Sequence, residues 1–175
     1  MRTVTSKRSL ALFVSVVLVF AVGAMPSFAQ EGTKVAGKMT SAQTRVDTIA
    51  VGDTEGHVFS LSEYEGTNVS TGTHKFMDGA QVVNMGFSDL LKGSGPHQGY
   101  VKFFQNADVV FAKWEGRVTT VSGKEGPVIT FEGTFSWIKG AGQFEGIGGS
   151  GTYRGQFISK TTYTCDWESE YFIKK

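Results

Sequence analysis

The chain has 175 residues, with 17 Lys and Arg against 16 Asp and Glu. Three basic residues (Arg2, Lys7 and Arg8) precede residue 30, which leaves 14 basic and 16 acidic side chains, a formal charge of −2, for Gln30 to Lys175. That balance excludes the basic face that a nucleic-acid partner calls for, the single cysteine excludes an internal disulfide, and the length suits one domain with its own core.

The chain opens as a targeting segment. Arg2, Lys7 and Arg8 form a positive start, Leu10 to Ala24 is almost wholly apolar, and Ser27-Phe28-Ala29 is an A-x-A-like cleavage site. The expectation is a signal peptide over residues 1–29 and a secreted or periplasmic protein, with no membrane span once the signal is removed. The apolar run is short for a span of about 20 residues, and no cysteine follows the site to take a lipid.

From Gln30 to Ser41 the sequence is polar and contains glycine, which predicts a frayed arm. Gln43 to Val51 predicts a first strand, and Gly52 to Gly56 a turn. In the run from His57 to Tyr64, Phe59 and Leu61 set the expected inward parity, which His57 and Glu63 share. Residues 67–72 read as a loop, within which Asn68-Val69-Ser70 is formally a glycosylation sequon. Asp78-Gly79 is a hairpin signal. Gln81 to Leu91 alternates, with Val83, Met85, Phe87 and Leu91 on one face. Residues 92–99, including His97, have the composition of a loop.

Tyr100 to Phe104 and Val109 to Val118 predict two further strands. In the second, Val109, Val110, Phe111 and Ala112 run together and Trp114 changes parity, which predicts a bulge. Val128 to Trp137 is the clearest strand: Ile129, Phe131, Phe135 and Trp137 alternate with Thr130, Glu132, Thr134 and Ser136. Glycines follow at 140, 142, 146, 148, 149, 151 and 155. Alternation then returns, with Tyr163, Cys165, Trp167 and Tyr171 on one parity.

No segment after residue 30 sustains a helical period, and short strands with turn signals recur. The fold class expected is all-β, a single antiparallel barrel of about eight strands over residues 30–175. A barrel of that size is filled by side chains or holds one small ligand. The glycine-rich sector supplies no side-chain volume, so it is expected to be underfilled.

Motifs of chemistry are few. Gly146 to Gly151 matches G-x-G-x-x-G, but a strand rather than a helix follows, so no dinucleotide and no other cofactor is implied. His57, His74 and His97 lack ligand spacing, so no metal is implied. Cys165 shares the parity of Tyr163 and Trp167 and reads as a small buried apolar residue. Glu63, if it continues the parity of Phe59 and Leu61, is a carboxylate aimed into an apolar barrel and a candidate general acid or base. Phe59, Phe131, Phe135, Trp137, Tyr163 and Trp167 form the candidate ligand-binding set, suited to a small apolar molecule.

Several stretches resemble bacterial exported proteins without assigned activity: Gly56-His57, Phe76-Met77-Asp78-Gly79-Ala80, Gly95-Pro96-His97-Gln98-Gly99-Tyr100 and Phe131-Glu132-Gly133-Thr134-Phe135. The step Gly140-Ala141-Gly142-Gln143-Phe144-Glu145-Gly146 resembles a hairpin of the allene oxide cyclase and dirigent-like barrels. That resemblance implies an allene oxide cyclase-like, or calycin-like, barrel. Allene oxide cyclases use an interior carboxylate and polar groups holding a water, a role for which Glu63 is the one residue on offer. Three functions stay open: a small-molecule binder, a cyclase or isomerase acting on an apolar substrate, and a structural or partner-binding barrel with a filled core. The oligomeric state is not set by the sequence. Exported protein is expected to begin at Gln30, and N-terminal sequencing of secreted material checks this; a retained apolar segment contradicts it.

Overall fold

The computed structural model describes residues 32–124 and 126–174; the expected signal segment lies outside them. Eight strands run in sequence order: β1 (Thr33–Ala50), β2 (His57–Ser70), β3 (Gln81–Leu91), β4 (Gly95–Gln105), β5 (Asp108–Gly123), β6 (Gly126–Ala141), β7 (Ile147–Phe157) and β8 (Thr162–Ile173). Each pairs antiparallel with its sequence neighbour, and β1 pairs with β8, so the sheet closes into an antiparallel barrel. A single 3-10 turn, Gly142–Phe144, joins β6 to β7. Among the described residues no helix is long and apolar enough to cross a membrane.

Large rings are packed into this small barrel by pairing them with glycine across strands. Gly37 faces Trp167, Gly99 faces Trp114, Gly133 faces Tyr153, Gly151 faces Phe135 and Gly155 faces Phe131. A Cβ added at Gly37, Gly99 or Gly133 meets the Trp167 ring, the Trp114 ring or the Tyr153 hydroxyl at 2.5–2.6 Å. The glycine sector is therefore filled, contrary to the sequence expectation. Its missing side chains are replaced by rings from the adjacent strand.

One end of the barrel is shut. Residues 71–80, between β2 and β3, fold inward and seat Phe76, which is 0% exposed, among Trp137, Phe144, Trp167 and Tyr171 at centroid distances of 4.9–5.8 Å. Asn68 fastens this plug. Its Nδ2 donates to the carbonyls of Phe76 (3.2 Å) and Met77 (2.8 Å), and its Oδ1 accepts from Trp167 Nε1 (3.0 Å). Asn68 is fully buried, so the sequon is closed to modification in the folded chain. Asp78-Gly79 makes the last turn of the plug, where Ala80 N–H donates to the Met77 carbonyl (3.2 Å), instead of a tight hairpin.

The structure corrects four further expectations. Residues 33–41 are the first half of β1, not a frayed arm, and bury Val35, Met39 and Ser41 against β8. His97 lies on β4, not in a loop. The bulge expected in β5 sits on its partner: Phe111 and Ala112 face Lys139 and Trp137, leaving Ile138 of β6 as the extra residue. Finally, β2 and β3 are turned over. Phe59, Leu61 and Phe87 are 41%, 48% and 38% exposed on the outer surface, where Phe59 and Phe87 touch each other at 5.6 Å. Their inner faces carry Ser60, Ser62, Tyr64, Asn84, Ser88 and Leu90.

Trp137 is buried and its Nε1–H donates to Ser169 Oγ (2.8 Å). Trp137→Ala is expected to cost about 3–5 kcal/mol through lost contact and cavity formation. Gly99→Ala is expected to cost about 1–3 kcal/mol, because the added Cβ presses on the Met85 carbonyl of β3 as well as on the Trp114 ring. Glu132→Ala removes only an exposed ion pair with Arg154 and is expected to change stability by about half a kcal/mol or less. Denaturant melts of the three variants give the comparison.

Candidate functional site

Because odd-numbered strands run away from the plug, the β1–β2, β3–β4, β5–β6 and β7–β8 connections gather at the other end, which is open. Two hairpins overhang it. Beyond Ala42 the first strand pairs only with β2, and beyond Val118 the fifth pairs only with β6. From this mouth a cavity of about 330 Å³ runs into the barrel, at the small end of the range typical of ligand sites.

The two walls of the cavity differ. On one side β5 to β8 present Trp114, Phe131, Phe135, Trp137, Tyr153, Phe157, Tyr163 and Trp167. Facing them, β1 to β4 contribute the polar Gln43, Ser60, Ser62, Asn84, Ser88 and His97 among apolar residues that include Met39, Tyr64, Leu90, Val101 and Phe103. Five of the six aromatic residues read from the sequence as ligand-binding therefore stand together: Phe131, Phe135, Trp137, Tyr163 and Trp167 all line the cavity. Phe59 does not, because it sits on the outer face of β2.

Glu63 is likewise outside. It shares the outward parity of Phe59 and Leu61 and pairs in register with Arg45 of β1 and Met85 of β3. Among the described residues no carboxylate lines the cavity. The interior acid or base expected at Glu63 is absent from that position, since the alternation that places Tyr64 inside must place its neighbour outside.

The buried polar groups are joined across the interior. Trp114 Nε1–H donates to Asn84 Oδ1 (2.9 Å), and Asn84 Nδ2 donates to the Tyr163 hydroxyl (2.8 Å). Burial pushes the Tyr163 phenol up to about 12, so it stays protonated. Gln43 Nε2 donates to the Tyr64 hydroxyl (3.2 Å). His97 Nε2 and the Tyr153 hydroxyl share a hydrogen bond of 2.9 Å, and the His97 ring packs on Trp114 at 4.8 Å. Burial lowers His97 to about 4, the Glu132 carbonyl opposing the shift. The imidazole facing the cavity is thus neutral at pH 7. Sequence composition hid it, because glycines and Pro96 around it carry the signature of a loop.

Cys165 lines the same cavity, yet burial raises its thiol to about 12. It is a buried wall residue, as its parity suggested, and its burial disfavours the thiolate. At the rim, His57 stands between two carboxylates, with Nδ1 at 2.6 Å from Asp53 and Nε2 at 2.6 Å from Asp89. The bonds to Asp89 and then Asp53 raise its pKa, while Asp53 is lowered chiefly by its bond to His57. This clamp ties the β1–β2 connection to β3. No group of three His, Cys, Asp or Glu among the described residues is placed to hold a metal.

No protein-family model matches the chain. No curated protein matches it. Among solved structures the chain is similar to a pterocarpan synthase dirigent protein, at 10% identity and a TM-score of 0.45, over 92% of this chain and 100% of that one.

The two imidazoles respond to pH in opposite senses. His57 is raised in the fold, so its contribution to stability is full below about 6.5 and is lost as pH rises through its folded pKa. The lowered Asp53 sets the acid limit, below which the clamp loses its carboxylate. His97 is lowered, so it opposes folding as pH falls below about 6.5 towards 4. An NMR titration of the histidine ring carbons is expected to show His97 protonating near pH 4 and His57 above 6.5. In thermal melts His57→Gln is expected to be less stable than wild type below pH 6.5, with the gap closing at higher pH.

Proposed function

We propose that this protein is an exported barrel that binds a small, largely apolar ligand in its interior. One observation carries the reading: a cavity of about 330 Å³ reaches from an open mouth to a wall of aromatic rings, in a barrel whose other end is plugged. A structural barrel has no need of such a space, since rings on glycine already fill the rest of its core. The turned-over strands support the same reading. Ser60, Ser62, Asn84 and Ser88 face inward while Phe59 and Phe87 face solvent, an arrangement that offers hydrogen bonds to a guest at the cost of exposed apolar surface. An enzymatic cyclase using an interior carboxylate has no such group here. Export rests on the charged start, the apolar run and Ser27-Phe28-Ala29.

All three tryptophans of the chain, Trp114, Trp137 and Trp167, line the cavity and supply the readout. The neutral probe N-phenyl-1-naphthylamine is expected to bind at one site per chain, gaining fluorescence while it quenches the tryptophans. Phe131→Ala, which removes an aromatic contact of about 1 kcal/mol, is expected to weaken binding about fivefold. Ser62→Phe fills the cavity and is expected to abolish saturable binding in a folded protein, whereas Glu63→Gln, outside the barrel, leaves it unchanged. A probe that fails to saturate the wild-type protein leaves the structural reading.

A further inference from the structure

The mouth of the cavity carries a cation that has no counter-charge in ion-pair contact among the described residues. Lys160 is the only charged side chain among the residues lining the cavity. Among the described residues it has no carboxylate within ion-pair distance. It is held on a braced turn. Ser159 Oγ accepts from the backbone N–H of Thr161 (3.3 Å) and of Thr162 (3.0 Å). The Ile158 and Ser159 N–H groups donate to the Thr162 carbonyl at 2.9 and 3.2 Å, and Gln43 N–H donates to the Thr161 carbonyl at 2.7 Å. The backbone that presents the ammonium is therefore fixed by bonds within the turn and by one from the neighbouring strand β1. Of the described acidic residues at this end, Asp53 and Asp89 are engaged by His57 and Asp47 by Arg45, and neither these nor Glu55 pairs with Lys160.

Below Lys160 the cavity is uncharged. Its interior offers hydroxyl, amide and neutral imidazole groups, gathered on β1 to β4, among apolar side chains and rings. A charge carried down to the rings would lose its water without gaining a partner. The same charge held at the mouth keeps part of its hydration and meets an ammonium. A lysine head is a compact point charge on a flexible stem, suited to a single anionic group of variable position.

We propose that Lys160 is the head-group site of this cavity and that the ligand is an organic anion, with an uncharged body of apolar or aromatic character inside the barrel and one negative group at the mouth. This assignment rests on the binding reading above and specifies its ligand class. Lys160 here is a specificity-determining residue: it selects charge, while the rings select size and flatness.

Two probes of nearly the same skeleton separate the two claims. N-phenyl-1-naphthylamine is neutral, and 8-anilinonaphthalene-1-sulfonate adds one sulfonate. In wild type each is expected to displace the other, and the sulfonate to lose affinity as salt is raised. Lys160→Met keeps the stem and is expected to weaken the sulfonate about three- to fivefold, the effect of one partly exposed charge pair. Lys160→Glu is expected to weaken it about tenfold or more, through repulsion. Both variants should hold the neutral probe within about twofold of wild type. Lys139→Met, on the outer face near the plug, controls for net charge and should change neither. Equal losses for both probes, no loss for either, or sulfonate binding that the neutral probe does not displace would each overturn the assignment of Lys160 while leaving a cavity that binds. Absence of saturable neutral-probe binding would instead remove the binding reading, and this assignment with it. Lys160 is exposed on a turn, so folding of its variants is checked directly by their melts.

Discussion

The barrel depends on seating aromatic rings over glycines of the neighbouring strand. Eight strands leave an interior only wide enough for side chains, and inward positions of β4 to β8 carry three tryptophans with several phenylalanines and tyrosines. Side chains at every inward position would overfill that space. Where Gly37, Gly99, Gly133, Gly151 and Gly155 face a ring directly, the ring lies down against the sheet. Each ring thereby covers backbone. Rings meet across the interior at Phe103 with Trp137 and Trp167 and at Phe131 with Tyr163, and the cavity is the space left on the mouth side of these contacts.

The same economy explains why one end closes and the other does not. Near the plug, Trp137 and Trp167 are joined by Phe76 from the inserted loop and Phe144 from the 3-10 turn, so rings meet rings. Asn68 holds the loop by satisfying two carbonyls and the Trp167 N–H at once, which makes its burial tolerable. Towards the mouth no loop inserts, and the opposing wall offers serines. Space there remains among polar groups and rings.

Electrostatics of the site follow from depth. Inside the barrel His97, Tyr153 and Tyr163 are all held in their neutral forms by burial. At the rim, where water reaches, charges survive: His57 between its two aspartates and Lys160 without one. An uncharged interior below a charged rim is a property of the closed barrel, since it arises from residues of all eight strands and their connections.

Much was legible from residue order alone. The alternation of Phe131, Phe135 and Trp137, and of Tyr163, Cys165 and Trp167, fixed both the strands and their buried faces, because in β6 and β8 the inner face meets rings and the outer face meets water. That was enough for an all-β chain closing into about eight antiparallel strands, and for five of the aromatics that line the cavity, Phe131, Phe135, Trp137, Tyr163 and Trp167. Alternation states that a strand has two faces; it does not state which of them is inside. In β2 and β3 the apolar face of Phe59, Leu61 and Phe87 points outward and the serine face lines the cavity, so Phe59 and Glu63 were assigned to the wrong side. Only closure of the sheet decides this, because pairing with β1 and β4 sets which face of β2 and β3 turns inward. Tertiary structure likewise decided that residues 71–80 turn inward, that glycines of one strand are filled by rings of the next, that His97 faces the cavity, and that Lys160 stands at its mouth. Each of these depends on residues far apart in the chain, whose proximity no local pattern encodes.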